Sequence, residues 1–107
     1  MVKKQISDPI VIGFLKNLRQ ELDVKGVLLY GSRVRGTNTV DSDYDLIVIS
    51  DDFKAMDQWD RISKLYDFWP EKRKAVDPLG YTWDEFQTMK KGINIVSEAA
   101  KEGIFIS

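Results

Sequence analysis

The sequence predicts one α/β (α+β) domain, in which a small mixed β-sheet has helices packed on it. Two strongly apolar runs, VLLYGS and DYDLIVIS, have the character of covered strands. Apolar residues at helical spacing, with good capping residues, occur before, between and after the strand patterns. A chain of 107 residues fits a single domain, residues 1–107, with room for a modest core.

The first half of the chain predicts a helix followed by two strands. Asp8 is a good N-cap and Pro9 suits the first helical position, and the helix fades around Asp23. VLLYGS is the first strand and DYDLIVIS is the second. If these strands run antiparallel, the end of the first lies beside the start of the second.

The second half completes the order α-β-β-α-β-α-α. Residues 56–69 carry apolar side chains at helical spacing, and the proline that follows ends this helix. KAVDPLGYT is a third strand, which Pro78 restricts to a sheet edge or a bulge. Thr82 and Glu85 form a capping-box pattern for the next helix, and Gly103 closes the last one. The tail IFIS is too apolar to extend freely into solvent.

The composition excludes several kinds of chemistry. The chain has no cysteine and no histidine, so disulfides, thiolate zinc sites and a histidine general base are impossible. Any metal must be held by oxygen ligands, which favours hard cations such as Mg²⁺, Mn²⁺ or Ca²⁺. A net charge of −1 and the lack of a basic stripe argue against nucleic acid as a direct substrate. No apolar run is long enough for a signal peptide or a membrane span, so we expect a cytoplasmic protein with no membrane partner.

An acidic cluster immediately precedes the second apolar strand. Asp43 and Asp45 are two residues apart, so both side chains leave the same face of the strand. Carboxylates placed that close repel each other unless a cation neutralises them. With antiparallel strands, Gly31 and Ser32 reach the same rim, where backbone amides can form an anion nest, particularly if a helix begins there. An anion cradle beside a cation site is what a nucleoside triphosphate with bound magnesium requires.

Two other interpretations of this cluster remain open. Acidic and serine residues are common in the turn before a strand, without any further function. A glycine-rich loop alone is only a weak indication of nucleotide binding. An EF-hand calcium loop would place Asp52 at its twelfth position, but Leu46 occupies the sixth position, where that loop requires glycine. The combination of the glycine-serine pair with the paired aspartates favours the nucleotide site.

The stretch GSRVRGTNTVDSDYDLIV resembles the signature of the DNA polymerase beta-like nucleotidyltransferases, and specifically of the minimal ones, the MNT proteins. That signature is Gly-Ser, often followed by Arg-x-Arg-Gly, and later Ser-Asp-x-Asp-Leu. Val34 stands where alanine is more usual. The matching positions are Gly31, Ser32, Arg33, Arg35, Gly36, Ser42, Asp43, Asp45 and Leu46.

The resemblance implies a third carboxylate on a later strand. Asp77 is the candidate because it is an acid within an apolar strand pattern, although a turn residue before proline is its simpler interpretation. Asp51 and Asp52 follow the second strand at its far end, too distant from Asp43. We expect them to cap the following helix.

The resemblance also implies a mechanism. Asp43, Asp45 and Asp77 would hold two Mg²⁺ ions, ATP would be the substrate, and a nucleoside monophosphate would be transferred with release of pyrophosphate. Arg33 is left open between a phosphate contact and a surface charge, and Ser42 between a nucleotide contact and a simple residue at the strand start. The predicted nucleotide-binding residues are Gly31, Ser32, Arg35 and Ser42.

A partner follows from the same resemblance. MNT proteins work with a separately encoded helical HEPN toxin, and as antitoxins they adenylylate a tyrosine of that toxin. The alternative is a non-catalytic nucleotide-binding or interaction module that neutralises its partner by contact. Several aromatic residues are candidates for a partner surface, although we expect most of them to pack in the core. They are Trp59, Tyr66, Phe68, Trp69 and Trp83.

Overall fold

A computed structural model describes residues 2–3 and 8–106. Within these ranges five strands form one sheet in the order β1-β5-β2-β3-β4, and no helix is long and apolar enough to cross a membrane. The predicted α/β class is confirmed. The elements are β1 (Val2–Lys3), α1 (Pro9–Glu21), β2 (Val24–Tyr30), α2 (Ser32–Arg35), β3 (Tyr44–Ser50), a 3-10 turn (Asp51–Phe53), α3 (Gln58–Asp67), β4 (Val76–Tyr81), α4 (Trp83–Met89), α5 (Ile95–Glu102) and β5 (Ile104–Ile106).

Local capping sets the helix starts where the sequence predicts them. Asp8 accepts a hydrogen bond from the backbone N–H of Ile10 at 2.9 Å, and Pro9 opens α1. Thr82 and Glu85 form the predicted capping box at α4. The short helix α2, the 3-10 turn and the strands β1 and β5 are elements that the sequence did not predict.

The strand directions bring one end of three strands together. β2 and β3 are antiparallel, which is the condition on which the expected common rim depended, and β3 and β4 are parallel. The end of β2 therefore lies beside the starts of β3 and β4. β4 is an edge strand, as Pro78 predicts. Gln58 covers part of this edge, because its side chain donates to the Gly80 carbonyl at 3.0 Å and accepts from the Gly80 N–H at 3.1 Å.

Apolar clusters cover both faces of the sheet. Helices α1 and α3 pack on one face and helices α4 and α5 on the other, which gives three layers. The first cluster includes Val11, Phe14, Leu18, Val27, Tyr44, Leu46, Val48, Leu65 and Trp69. The second includes Leu28, Tyr30, Ile47, Ile49, Tyr81, Phe86, Val96 and Ala99.

The expectation that most of the singled-out aromatic residues lie in the core is wrong. Trp69 is buried, and its ring centroid lies 5.3 Å from that of Phe14. Trp59, Tyr66 and Trp83 are instead 81%, 50% and 41% exposed. Helical spacing placed Trp59 and Tyr66 on α3, but it did not show which face of that helix meets the sheet.

Asp51 and Asp52 do not cap the following helix, so that prediction is also wrong. The 3-10 turn separates β3 from α3, and Asp57 is the N-cap of α3. Asp52 Oδ2 accepts from the Asp23 N–H at 2.8 Å, and Asp51 Oδ1 accepts from the Trp83 N–H at 3.0 Å. The two acids therefore satisfy backbone groups of neighbouring segments at the far end of β3.

Candidate active site

The rim where β2 ends and β3 and β4 begin carries a row of polar side chains on one face of the sheet. Tyr30 of β2 pairs with Asp45 of β3, and Asp45 pairs with Asp77 of β4. Directly paired residues of neighbouring strands share a face and lie side by side. Asp43 lies immediately before β3. The three predicted carboxylates, which we call the acidic rim, are therefore found at the same end of the sheet.

The acidic rim is electrostatically unfavourable for its central carboxylate. Burial raises the pKa of Asp45, the neighbouring charges of Asp77 and Asp43 raise it further, and Arg35 opposes them. Within the described part of the chain, no three acidic side chains are placed so that they could together hold a metal ion as they stand. The rim is thus a set of adjacent, mutually repelling oxygen ligands, and such a donor set fits a hard divalent cation.

Gly31 shapes the turn beside Asp45. Its φ of 80° lies in the left-handed region, and a Cβ at this position would collide with Asp45 Oδ2. Helix α2 begins at the next residue, Ser32, so the helix start that an anion nest requires is present. The N–H groups of Val34 and Arg35 donate to the Gly31 carbonyl, each at 3.1 Å. The two N–H groups before them have no intrahelical acceptor.

Arg33 fixes the loop that precedes β3. Its guanidinium carbon lies 3.7 Å from the ring centroid of Tyr44, and its Nη2 donates to the Ser42 carbonyl at 2.7 Å. These contacts join α2 to the start of β3. Arg33 is therefore more than a simple surface charge, and contact with phosphate, the other interpretation left open for it, stays a prediction.

Arg35 and Ser42 take different positions around the rim. Arg35 is exposed and forms a 3.0 Å ion pair with Glu102 at the end of α5. It also lies close enough to Asp45 to lower the pKa of the Asp45 carboxyl group. The Ser42 hydroxyl accepts from the Thr39 N–H at 2.8 Å and so closes the turn before β3. Contact with nucleotide stays a prediction for both residues.

The calcium-loop alternative for this segment is wrong. Leu46 lies within β3, so an extended strand occupies the middle of the proposed twelve-residue loop. Asp41 is exposed in the loop before β3, where its N–H lies 3.3 Å from Thr39 Oγ1. Asp52 lies beyond the opposite end of the strand. The aspartates of DSDYD therefore do not surround one ion in the EF-hand manner.

Tyr30 is a rim residue that sequence reasoning missed. It is buried, and its hydroxyl makes no hydrogen bond with any residue in the described ranges. Burial raises its pKa, with further contributions from the charges of Asp45 and Asp77. The one available signal was a hydroxyl-bearing side chain at the end of an otherwise apolar strand, next to the Gly-Ser pair.

The fold is an α/β domain whose mixed sheet carries three aspartates at one rim, beside a glycine turn. The chain belongs to the nucleotidyltransferase domain family, whose model matches residues 11–105. The domain is therefore one for the transfer of nucleotidyl groups, and the resemblance seen in the glycine-serine and aspartate motifs is confirmed at this level.

Solved structures extend the comparison at the level of the fold. A protein described as a nucleotidyltransferase from Sulfolobus solfataricus is similar with a TM-score of 0.65 and 18% identity, covering 90% of this chain and 75% of that one. A toxin-antitoxin structure with AMP-PNP has a TM-score of 0.53 and 19% identity, covering 88% and 69%. BolA1 from Arabidopsis thaliana has a TM-score of 0.57 and 15% identity, covering 75% and 98%. A comparison with curated protein sequences gives no match.

Proposed function

We propose that the domain transfers AMP from ATP to a protein hydroxyl in the cytoplasm, and that the acceptor is a tyrosine of a helical HEPN toxin. The observation that carries the proposal is the pairing of Asp45 with Asp77 beside the turn at Gly31. Membership of the nucleotidyltransferase family supports the reaction class. The similar fold of a toxin-antitoxin structure with AMP-PNP supports the choice of nucleotide and of partner.

The chain's own residues have distinct roles in this reaction. Asp43, Asp45 and Asp77 would hold Mg²⁺, with two ions expected, and bound magnesium supplies charge neutralisation and polarisation of the phosphate groups. The N–H groups of Ser32 and Arg33, which have no intrahelical acceptor, bind a phosphate oxygen. Asp77, exposed on the edge strand, accepts the proton of the incoming hydroxyl. The hydroxyl oxygen bonds to the α-phosphorus as the bond to the β-phosphate oxygen breaks, and pyrophosphate leaves.

The proposal is tested by incubating the protein with α-labelled ATP and Mg²⁺, with and without the product of the neighbouring gene. Label is expected on the neighbour. Asp43→Asn should reduce transfer by at least about a hundredfold, because it removes one of the charges that position the reacting phosphate. Asp41→Asn is the matched control: it neutralises an exposed acid of the same triplet that lies in the loop, and transfer should persist.

Transfer that is unchanged in Asp43→Asn would contradict the assignment of the rim. A second function, neutralisation of the partner by contact alone, is favoured by the exposed aromatic side chains of Trp59 and Tyr66 on α3. Neutralisation that survives without ATP and in Asp43→Asn, but is lost in Trp59→Ser, would establish that function instead.

A further inference from the structure

The hydroxyl of Tyr30 is the feature of the rim that the reaction described above does not use. Tyr30 is 6% exposed, and its hydroxyl oxygen is buried without a hydrogen bond to any described residue. A buried hydroxyl without a partner destabilises the folded state, and native proteins leave few of them. An unsatisfied group of this kind at a functional rim therefore needs a physical explanation.

The surroundings of Tyr30 offer few acceptors. On its face of the sheet its neighbours are residues of the second cluster, whose side chains are apolar apart from the hydroxyl of Tyr81. Across the sheet, its partners in the same row are Asp45 and then Asp77. Carboxylates accept hydrogen bonds, and a protonated tyrosine hydroxyl beside a carboxylate acts as a donor. The row therefore contains one donor and two acceptors that are not joined in this conformation.

The Asp45 carboxylate makes no hydrogen bond with the Tyr30 hydroxyl, and its position against Gly31 gives the reason. One of its carboxylate oxygens, Oδ2, occupies the space that a side chain on Gly31 would fill. In this position the carboxylate lies over the turn before α2, and it has no ion pair within residues 2–3 and 8–106. An aspartate side chain reorients by rotation about two bonds, which needs no movement of the sheet.

We propose that Tyr30 is a positioning residue whose hydroxyl donates a hydrogen bond to the Asp45 carboxylate when the rim holds magnesium and ATP. The inference rests on the proposed function. The hydroxyl is unsatisfied in the structure, and in the bound state a reoriented Asp45 carboxylate is its acceptor. The hydrogen bond then holds Asp45 in the orientation that binds the ligand.

The first test compares two buried strand tyrosines, one whose hydroxyl has no partner and one whose hydroxyl is hydrogen-bonded. Tyr44 lies on the opposite face, and its hydroxyl donates to Asp8 Oδ2 at 2.7 Å. Without ligand, Tyr30→Phe should raise the Tm by about 4 °C, because it removes an unsatisfied buried hydroxyl. Tyr44→Phe should lower the Tm by a similar amount, because it leaves Oδ2 of Asp8 without its donor.

The second test measures binding of AMP-PNP with Mg²⁺ by calorimetry, which does not require turnover. Tyr30→Phe should weaken binding about fivefold, the effect of losing one hydrogen bond in the bound state. Tyr44→Phe should bind as the wild type does. A variant that is more stable without ligand and yet binds more weakly cannot be explained by a structural role alone.

Two results would overturn the inference while leaving the proposed function in place. A lower Tm for Tyr30→Phe would show that the hydroxyl is already satisfied in the ligand-free protein. A higher Tm with unchanged affinity would show that the hydroxyl takes no part in binding. Failure of the wild-type protein to bind AMP-PNP with Mg²⁺ is a separate result, and it would overturn the proposed function and the inference together.

Discussion

The charged side chains at the two ends of β3 differ in whether they form ion pairs. At the far end, Arg61 is buried and donates to both carboxylate oxygens of Glu85, at 2.6 and 3.2 Å, and to the Gly80 carbonyl at 3.0 Å. At the start, Asp45 and Asp77 lie side by side, and neither forms an ion pair within the described part of the chain. Charges at one end hold the fold together, whereas Asp45 and Asp77 at the other end are without an ion pair among the described residues, as the proposed function requires.

The pKa values of two carboxyl groups express the same contrast. Hydrogen bonds from Arg61 lower the pKa of Glu85, whereas burial and the neighbouring Asp77 raise the pKa of Asp45. One carboxylate is stabilised by the fold and the other is destabilised by it. Conflicts of this kind persist where function requires them, so mutations at the two ends should separate activity from stability.

Neutralising Asp45 gives the largest expected effect. Asp45→Asn should reduce transfer of label from ATP by about a hundredfold, because it removes a central charge of the rim. The free energy of unfolding should stay the same or increase, because repulsion from Asp77 is removed at the same time. Measuring transfer together with urea unfolding tests both parts. If Asp45→Asn loses activity because it unfolds, the distinction between a stabilising end and an end required for activity would be contradicted.

The reciprocal change is Glu85→Gln at the far end. It leaves the buried guanidinium of Arg61 without its carboxylate partner, and Glu85 is itself 41% exposed, so we expect a loss of about 2 kcal/mol in unfolding free energy. Transfer per folded molecule should be unchanged. Glu98→Gln, an exposed first-turn glutamate of α5, is the control and should stay within about 0.5 kcal/mol of wild type. Comparable losses in both variants would contradict the role of the ion pair.

The features that the sequence predicted correctly are those with local causes. The caps at Asp8 and Thr82 are set within one helical turn, and the apolar runs of β2 and β3 identify themselves by composition. Pro78 marks an edge strand because it lacks an N–H group. The motif of Gly31 and Asp45 could be recognised in the sequence because few other residue types can take either position.

The features that were missed depend on which segments pack together. Periodicity gives the face of a strand but not its register, so the row that joins Tyr30 to Asp45 required the structure. The free hydroxyl of Tyr30 depends on what covers it, and the backbone groups that Asp51 and Asp52 satisfy come from distant segments. The exposed face of α3 around Trp59 likewise reflects the position of the sheet beneath that helix.

Two glycines near the rim, which have similar backbone conformations, allow a matched test of the ligand-binding end proposed for β3. Gly31 and Gly36 have φ values of 80° and 77°, so alanine at either position should cost about 1 kcal/mol in backbone strain. A Cβ at Gly36 meets nothing within 4 Å, whereas one at Gly31 collides with Asp45 Oδ2.

We therefore expect Gly31→Ala to reduce transfer about tenfold more than Gly36→Ala, because it displaces the Asp45 carboxylate, a difference of about 1.4 kcal/mol. Initial rates of transfer at saturating ATP measure this difference, and unfolding curves measure the shared strain. Equal rates in the two variants would show that the position of Asp45 against the turn is unimportant for the reaction.

The smallest expected effect is on the pH dependence of the unfolding free energy. The acids at the two ends of β3 should contribute to it with opposite signs. The folded pKa of Glu85 is below its unfolded value, so its stabilisation is present above the unfolded pKa, near 4.5, and is lost as the pH falls through the folded pKa. The folded pKa of Asp45 is above its unfolded value of 3.8, so its penalty is present at neutral pH and disappears as the pH falls through the folded pKa. Relative to wild type, the unfolding free energies of Glu85→Gln and Asp45→Asn without metal should therefore change in opposite directions between pH 7 and about pH 3, each by about 1 kcal/mol or less. Parallel pH profiles for the two variants would mean that the acids at the two ends of β3 are equivalent, and the contrast between a structural end and a ligand-binding end would no longer hold.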